Sequence, residues 1–264
     1  MRFFLRLAYN GARFHGWQIQ PKDSSVQETI EKALATIFRR PTPIVGAGRT
    51  DTGVNASTMY AHFDSEIDPT VDVDRFLRSL NSILGKDIAV YEVFRVADDA
   101  HARFDATSRT YRYFVHDYKS PFLDNFSWFA RGQLDFELMN EAASMLLNVE
   151  DFTSFAKLHS DAKTNICDVT VARWVEMEEP GRHYFEIKAD RFLRNMVRAV
   201  VGTLVDVGRH KIDLDGFKKV IDGRDRCMAG TSMPAHPLFL WDVTYDKSIH
   251  FNEQSQCMFL QKMM

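Results

Sequence analysis

The chain has 264 residues, 45% of them hydrophobic, and a formal net charge of -3. That length and composition exclude a disordered chain and leave room for one large domain or two smaller ones. The charge balance excludes polyanion binding by bulk charge, so any such ligand needs a local basic surface.

No apolar run is long enough to span a bilayer, and no signal peptide is expected, because a strand-like segment begins within a few residues of Met1. Cys167, Cys227 and Cys257 are scattered and odd in number. They fit a reducing cytoplasm and form neither a disulfide framework nor a zinc pattern.

Arg2 to Tyr9 reads as a strand, ended by Asn10-Gly11. A loop to Lys22 mixes Arg13, His15 and Gln18 with Phe14 and Trp17. These aromatics either stack on nucleic-acid bases or plug the edge of the core. A helix from about Val26 to Phe38 follows, capped by Ser24 or Ser25 with Glu28 completing a capping box. Val26, Ile30, Ala33, Leu34 and Ile37 form its apolar face, Arg39-Arg40 sit at its negative end, and Pro41 stops it.

Next comes Gly46-Ala47-Gly48-Arg49-Thr50-Asp51-Thr52-Gly53-Val54-Asn55-Ala56, between a short strand ending at Ile44-Val45 and another from Ser57 to Phe63. Glycines let the chain turn sharply. The loop is either ordinary turn chemistry or a mount that holds Asp51 at the floor of a cleft with Arg49 beside it. It is not a phosphate loop, because no Lys-Ser or Lys-Thr follows the glycines.

Asp68 to Asp74 lacks the central Gly and terminal Glu of a calcium loop, and instead caps a helix from about Val73 to Leu84. Asp87 to Val96 alternates as a strand. From His101 to Lys119, Arg103, Arg109 and Arg112 interleave with Phe104, Tyr111 and Tyr113. On a strand, residues 109, 111 and 113 share one face. That face suits phosphate contact and base stacking, or is a solvated face with extended arginines.

Asp135 caps a helix to Leu147, and Asn148 to Asn165, with Lys157, His159 and Lys163, reads as a mobile surface loop. Strands at Val169 to Met177 and Tyr184 to Ala189 surround a Glu179-Pro180-Gly181 turn. The stretch from Arg191 to Leu204 places Leu193, Met196, Val197, Val200, Val201 and Leu204 on one helical stripe. Arg191, Arg194 and Arg198 lie on a second. Such a charged stripe is a solvated face unless one arginine pairs with a carboxylate elsewhere, and Arg198, flanked by apolar residues, is the candidate. Asp213 to Ile221 is a short helix, and a loop from Gly230 leads to a last strand at about Trp241 to Tyr245.

This order gives an α/β chain of the α+β type, in two α/β halves of similar content at residues 1–104 and 105–264. There is no G-x-S-x-G elbow, no H-E-x-x-H helix and no Cys/His ligand spacing. The remaining assets are one loop carboxylate with several arginines and tyrosines. They suit chemistry on a base taken out of its stack.

Gly48-Arg49-Thr50-Asp51-Thr52-Gly53-Val54-Asn55-Ala56 closely resembles the G-R-T-D-A-G-V-H-A signature of the TruA-type tRNA pseudouridine synthases. Tyr9-Asn10-Gly11 through Gln18, Ser25 to Glu28, His101 to Phe104, Ser108 to Tyr113, Asp151 to Phe155 and Asn195 to Arg198 also fit the family in order, so the likeness spans nearly the whole chain.

The resemblance implies a pseudouridine synthase fold: two similar halves, a mixed and largely antiparallel sheet flanked by helices, and a basic cleft. It implies isomerisation of uridine in the tRNA anticodon stem-loop, around positions 38 to 40, by a cytoplasmic homodimer without cofactor or metal. Asp51 matches the catalytic aspartate and Arg198 the arginine that pairs with it. Tyr111 matches the tyrosine that packs on the target base, Arg49 the arginine that holds the flipped nucleotide, and Leu238 an aliphatic wall of the pocket. Arg13, Arg39, Arg40, Arg103, Arg109, Arg191 and Arg194 are the further candidates for phosphate contact.

Three positions depart from the family pattern. Thr52 stands for Ala, Asn55 for His, and Pro237 for Gly before Leu238. Asn55 lies outside the Arg-Asp core, so activity is expected to survive it. The competing readings are a tRNA-binding module without chemistry, which the presence of Asp51 with its arginines opposes, and a phosphate-dependent hydrolase, which the missing Lys and metal ligands oppose.

Overall fold

The computed structural model describes residues 1–157, 163–246 and 249. The chain divides into two compact units, one built from Met1–Thr107 with the chain from Leu240 onward, the other from Ser108–Phe239. In chain order the elements are β1 (Arg2–Tyr9), α1 (Val26–Phe38), β2 (Ile44–Gly46), β3 (Asn55–Asp64), α2 (Val73–Leu84), β4 (Ile88–Val96), β5 (Ala106–His116), β6 (Trp128–Phe129), α3 (Phe136–Met145), β7 (Val169–Glu176), β8 (Arg182–Ala189), α4 (Met196–Gly208), α5 (Leu214–Gly223) and β9 (Leu238–Tyr245). The fold is α+β, with sheet strands flanked by helices. His159 and Cys257, singled out in the sequence, lie outside the described residues.

In the first unit β1 runs antiparallel to both β3 and β4, and β2 pairs antiparallel with the end of β3. The residues of β9 from Leu240 lie on the other side of β3 from β1. The alternation of β3 marks a strand, and the structure covers both of its faces. On one face Phe63 stacks on Phe3 at 5.6 Å and meets Phe38 of α1 at 5.9 Å, and Phe38 meets Phe76 of α2 at 5.9 Å. On the other, Tyr245 touches Phe4 and Tyr60 edge-on, and its phenol donates to the Ala102 carbonyl at 2.6 Å. Tyr60 and His62 are therefore buried by β9 and the His101 segment, which are distant in sequence.

Local signals set the helix starts. The Ser25 hydroxyl accepts the Glu28 N–H at 3.2 Å, and Asp72 accepts the Arg75 N–H at 3.0 Å. The end of α1 differs from expectation. Arg39 takes a left-handed conformation, φ 55°, and Arg40 forms an ion pair with Glu66 at 2.9 Å. The chain thus turns away toward Pro41, and Arg40 is spent on a side chain from beyond β3.

In the second unit β8 lies antiparallel between β5 and β7, and β6 runs parallel to β5. Glu186 at the centre of β8 is buried and accepts ion pairs from Arg112 of β5 at 2.6 Å and Arg173 of β7 at 2.8 Å. Burial works to raise its pKa, but hydrogen bonds from Arg173 and Arg112 outweigh it and hold the carboxyl below the usual range. Arg112 is thereby a sheet residue. On the outer side of β7, the Asn140 side chain of α3 exchanges both of its hydrogen bonds with the Trp174 backbone, at 2.7 and 3.2 Å.

Two expectations in this unit need correction. The stretch after Asn148 is not a mobile surface loop up to Lys157. Phe152 and Phe155 are fully buried, and Asp151 holds both the N–H and the hydroxyl of Thr153, at 3.0 and 2.6 Å. A 3-10 turn over Thr153–Phe155 buries residues at a spacing that matches neither strand nor helix. The helix expected from Arg191 begins only at Met196. Asn195 is left-handed, φ 65°, and ends the run of helical geometry upstream, so Arg191 and Arg194 precede the helix and do not share a stripe with Arg198.

Cys167 is buried, which pushes its thiol up to about 12, and Cys227 is exposed.

His62 gives a pH prediction. Its Nδ1 accepts the Ala102 N–H at 3.1 Å, and burial first, then Arg2 and His101, lower its pKa to about 4, while Asp64 and Asp105 act oppositely. Unfolded histidine titrates near 6.5, so between these values the unfolded state binds more protons. Stability should be fully present above pH 6.5 and fall as pH drops toward 4, by up to about 3 kcal/mol. Chemical denaturation of wild type and His62→Gln across this window should show a shallower decline in the variant. Parallel declines would remove His62 as the cause.

Candidate active site

In the first unit the loop between β2 and β3 is fixed mostly by backbone. The Ala47 N–H donates to the Tyr60 carbonyl at 2.8 Å. Thr50 is buried, with its hydroxyl 2.8 Å from the Tyr9 phenol, and its carbonyl accepts the Trp17 N–H at 3.2 Å. Gly16, at φ 89°, packs directly on that carbonyl, where a Cβ would collide. The Gly53 N–H donates to the Phe14 carbonyl at 3.3 Å, and the Val54 N–H to the Asp51 carbonyl at 3.1 Å. Asp51 therefore opens a four-residue turn whose third residue, Gly53, has φ 78°. Asp51 is half-buried and Arg49 is exposed.

The loop glycines differ in purpose. A Cβ on Gly46 would lie 2.5 Å from the Trp17 ring, while one on Gly48 would meet nothing within 4 Å. Trp17 is only 3% exposed and sits beside Tyr9 at 6.1 Å, so of its two readings the structure supports the core plug. Phe14 is half-buried. Asn55 is buried and its Oδ1 accepts the Gly11 N–H at 2.8 Å. It ties the turn after β1 to the start of β3, a positioning task for which an amide suffices. Arg13 is exposed on that turn, 3.6 Å from Asp87, and Arg103 is exposed on the segment before β5.

In the second unit the N-terminus of α4 is locked to the loop that leads into β9. Arg198 Nε donates to the Met233 carbonyl at 2.6 Å, and the Met233 N–H returns a bond to the Arg198 carbonyl at 3.1 Å. The reciprocal pair fixes the plane of the guanidinium. Gly202 lies one turn further on, where a Cβ would strike the Thr231 carbonyl, and the Gly230 N–H reaches the Thr203 hydroxyl at 2.9 Å. Ser232 accepts from Asn195 at 2.6 Å and from Arg226 at 2.8 Å.

Leu238 is buried at the start of β9. Its N–H donates to Ala235, and the carbonyl of Pro237 accepts the Phe114 N–H at 3.1 Å. Proline retains the one group, its carbonyl, that this position uses. Tyr111 meets Phe192 edge-on at 5.0 Å, and Arg109 donates to the Asp190 carbonyl at 2.8 Å. Arg191 is half-buried beside these contacts, and Arg194 is exposed, with its carbonyl accepting the Lys157 N–H at 3.0 Å.

Among the predicted residues, Asp51, Arg49, Arg13 and Arg103 thus belong to the first unit. Tyr111, Arg198, Leu238, Arg109, Arg191 and Arg194 belong to the second. The sequence reading missed the clamp of Arg226 and Ser232, and it placed Tyr113 on a face for base stacking or solvent, whereas the structure buries it completely. Arg226 carries no periodic signal. Tyr113 is fully buried, its hydroxyl has no hydrogen-bond partner among the described residues, and burial, opposed by Arg198, holds it protonated.

A carboxylate on a rigid turn can act as a nucleophile or stabilise developing positive charge. A guanidinium of fixed plane can hold an anion, and an aromatic mounted edge-on against another can offer its face to a planar base.

A family model described as tRNA pseudouridine synthase matches residues 142–246. The chain is 55% identical over 248 residues to tRNA pseudouridine synthase A of Parabacteroides distasonis, a match covering 94% of this chain and 97% of that protein. It is 54% identical over 248 residues to the protein of the same name from Bacteroides fragilis, covering 94% of this chain and 98% of that one. Against that from Bacillus subtilis it is 37% identical over 251 residues, covering 93% of this chain and 100% of the other. No helix among the described residues is long and apolar enough to cross a membrane. Likeness at this identity over nearly the full length of both partners means that the chain belongs to the tRNA pseudouridine synthase family.

Proposed function

We propose that this chain converts uridine to pseudouridine in the anticodon stem-loop of tRNA, as a cytoplasmic homodimer without cofactor. As a family member it is an isomerase. The observation that carries the assignment of its centre is the Asp51 turn, where Thr50 before half-buried Asp51 is held by the Trp17 N–H and by the Tyr9 phenol at its hydroxyl, and Gly53 after it donates to the Phe14 carbonyl.

The first unit supplies the catalytic carboxylate, and the second supplies the stacking tyrosine and the arginine helix. The N-glycosidic bond of a flipped uridine breaks, the freed uracil rotates in place, and a bond re-forms to its C5, which then loses its proton. Asp51 attacks or stabilises the electron-poor centre. Arg198, its Nε held by the Met233 carbonyl, is the arginine that the family resemblance pairs with the catalytic carboxylate. Tyr111 packs on the uracil so that it does not leave while detached, and Leu238 closes the wall beside it. Arg49 holds the displaced nucleotide. A preset mount for each group lowers the entropy that the reaction must otherwise supply. Arg13, Arg103, Arg109, Arg191 and Arg194 contact phosphates, which position the RNA without reading its sequence.

Asp51→Asn should lower the single-turnover rate of pseudouridine formation by roughly 10³-fold or more, with far-UV circular dichroism and tRNA affinity retained. Tritium release from 5-labelled uridine in tRNA reads this directly, and a wild-type rate in the variant would refute the assignment.

Affinity for tRNA should fall at least about tenfold between 50 and 200 mM salt, through counterion release. The double-logarithmic slope should flatten by about 1 in Arg194→Ala, an exposed arginine. A slope near zero in wild type would rule out the basic binding surface.

A further inference from the structure

Phe104 is 75% exposed, an unusual position for a large aromatic in a segment that is otherwise tightly held. Its ring lies on the imidazole of His101, with centroids 4.2 Å apart and planes inclined by 33°. The Arg103 guanidinium carbon stands 5.8 Å from the Phe104 centroid.

His101 is itself a fixed support. Its N–H donates to the Asp105 carboxylate at 2.7 Å, and its carbonyl accepts the Asp105 N–H at 3.0 Å. Its Nδ1 accepts the N–H groups of Arg103 and Phe104, at 3.1 and 3.3 Å. Its ring meets buried His62 edge-on at 4.7 Å. Ala102, between them, is clamped by its N–H to His62 Nδ1 and by its carbonyl to the Tyr245 phenol. The Phe104 ring is therefore held out from the surface in one orientation, on a stack that is built before any ligand arrives.

Packing does not require the ring there, since most of its area faces outward. Water contact on an apolar face is unfavourable, and a partner that covers the ring recovers that loss. The residues on either side of it in the chain, Arg103 and Asp105, are both exposed and charged. A protein interface needs a contiguous buried core, whereas a single nucleobase needs one aromatic face and a cation for its phosphate.

We propose that Phe104 is a stacking platform for an unpaired base of the RNA substrate, with Arg103 at the adjoining phosphate. This rests on the tRNA reading above and extends it to a contact outside the Asp51 turn. Preorganisation on His101 lowers the ordering entropy of binding.

The test compares Phe104→Ala, Phe104→Leu and Phe104→Trp in the full chain, with in vitro transcribed tRNA as probe. Binding is followed by fluorescence anisotropy, pseudouridine formation at saturating tRNA by tritium release, and stability by thermal melting. Ala and Leu should each weaken tRNA binding by about 5- to 100-fold at an unchanged melting temperature, Leu because it has no π-face. Trp should stay within about threefold of wild type, and the rate at saturation should change little in all three.

Wild-type affinity in Phe104→Ala or Phe104→Leu overturns the platform while leaving the synthase assignment intact, provided the wild type isomerises uridine. A change of sedimentation coefficient in Phe104→Ala without loss of tRNA affinity would assign the ring to a protein contact and overturn it too. Wild type that binds tRNA but forms no pseudouridine refutes the enzyme reading alone.

Discussion

The geometry of the first unit depends on backbone pressed against backbone. The turn after β1 lies so close to the loop before β3 that Gly11 abuts the Val54 carbonyl and Gly16 the Thr50 carbonyl, leaving no room for a side chain at either. That approach brings the Trp17 and Gly53 N–H groups within reach of carbonyl oxygens across the gap. Buried amides need partners, and here each loop satisfies the other. Asp51 is presented by two segments that hold each other and by a type of turn that only glycine at residue 53 allows without strain.

The second unit solves the same problem with a helix and a loop. Gly202 lets the Thr231 carbonyl approach the body of α4, and the Arg198–Met233 exchange closes the contact one turn earlier. Arg198 thus serves packing through Nε and its backbone. Its fixed guanidinium contrasts with Arg112, which is spent on buried Glu186. In the sequence Arg198 is flanked by apolar residues and Arg112 by two tyrosines. What separates them is their partner: Arg198 binds a loop carbonyl, Arg112 a carboxylate in the middle of the sheet. Charge by itself does not mark a functional arginine.

The His101 segment shows how one sequence stretch can carry several duties at once. Its alternating small, aromatic and charged residues form no regular element, yet Ala102 is wholly buried, His101 braces the ring beside it, and Phe104 faces outward. His62 answers from β3 with a ring that is neutral near pH 7, because burial disfavours its charge and because its Nδ1 must accept a hydrogen bond.

The sequence by itself determined where α1, α2 and α3 begin, because capping side chains act within three residues of themselves and need nothing distant: Ser25, Asp72 and Asp135 each accept the N–H that a cap should. It also identified the loop of Arg49 and Asp51, since glycine-bracketed turns are local chemistry, and the family signature rides on the same residues. Only the tertiary structure decided what lies across from these segments. It buried the second face of β3 under Tyr245, made Trp17 a core residue, packed Phe152 and Phe155 through a turn with no repeat, and started α4 at Met196 after a left-handed Asn195. Each of these rests on contacts between residues far apart in the chain, and periodicity along a chain carries no record of them.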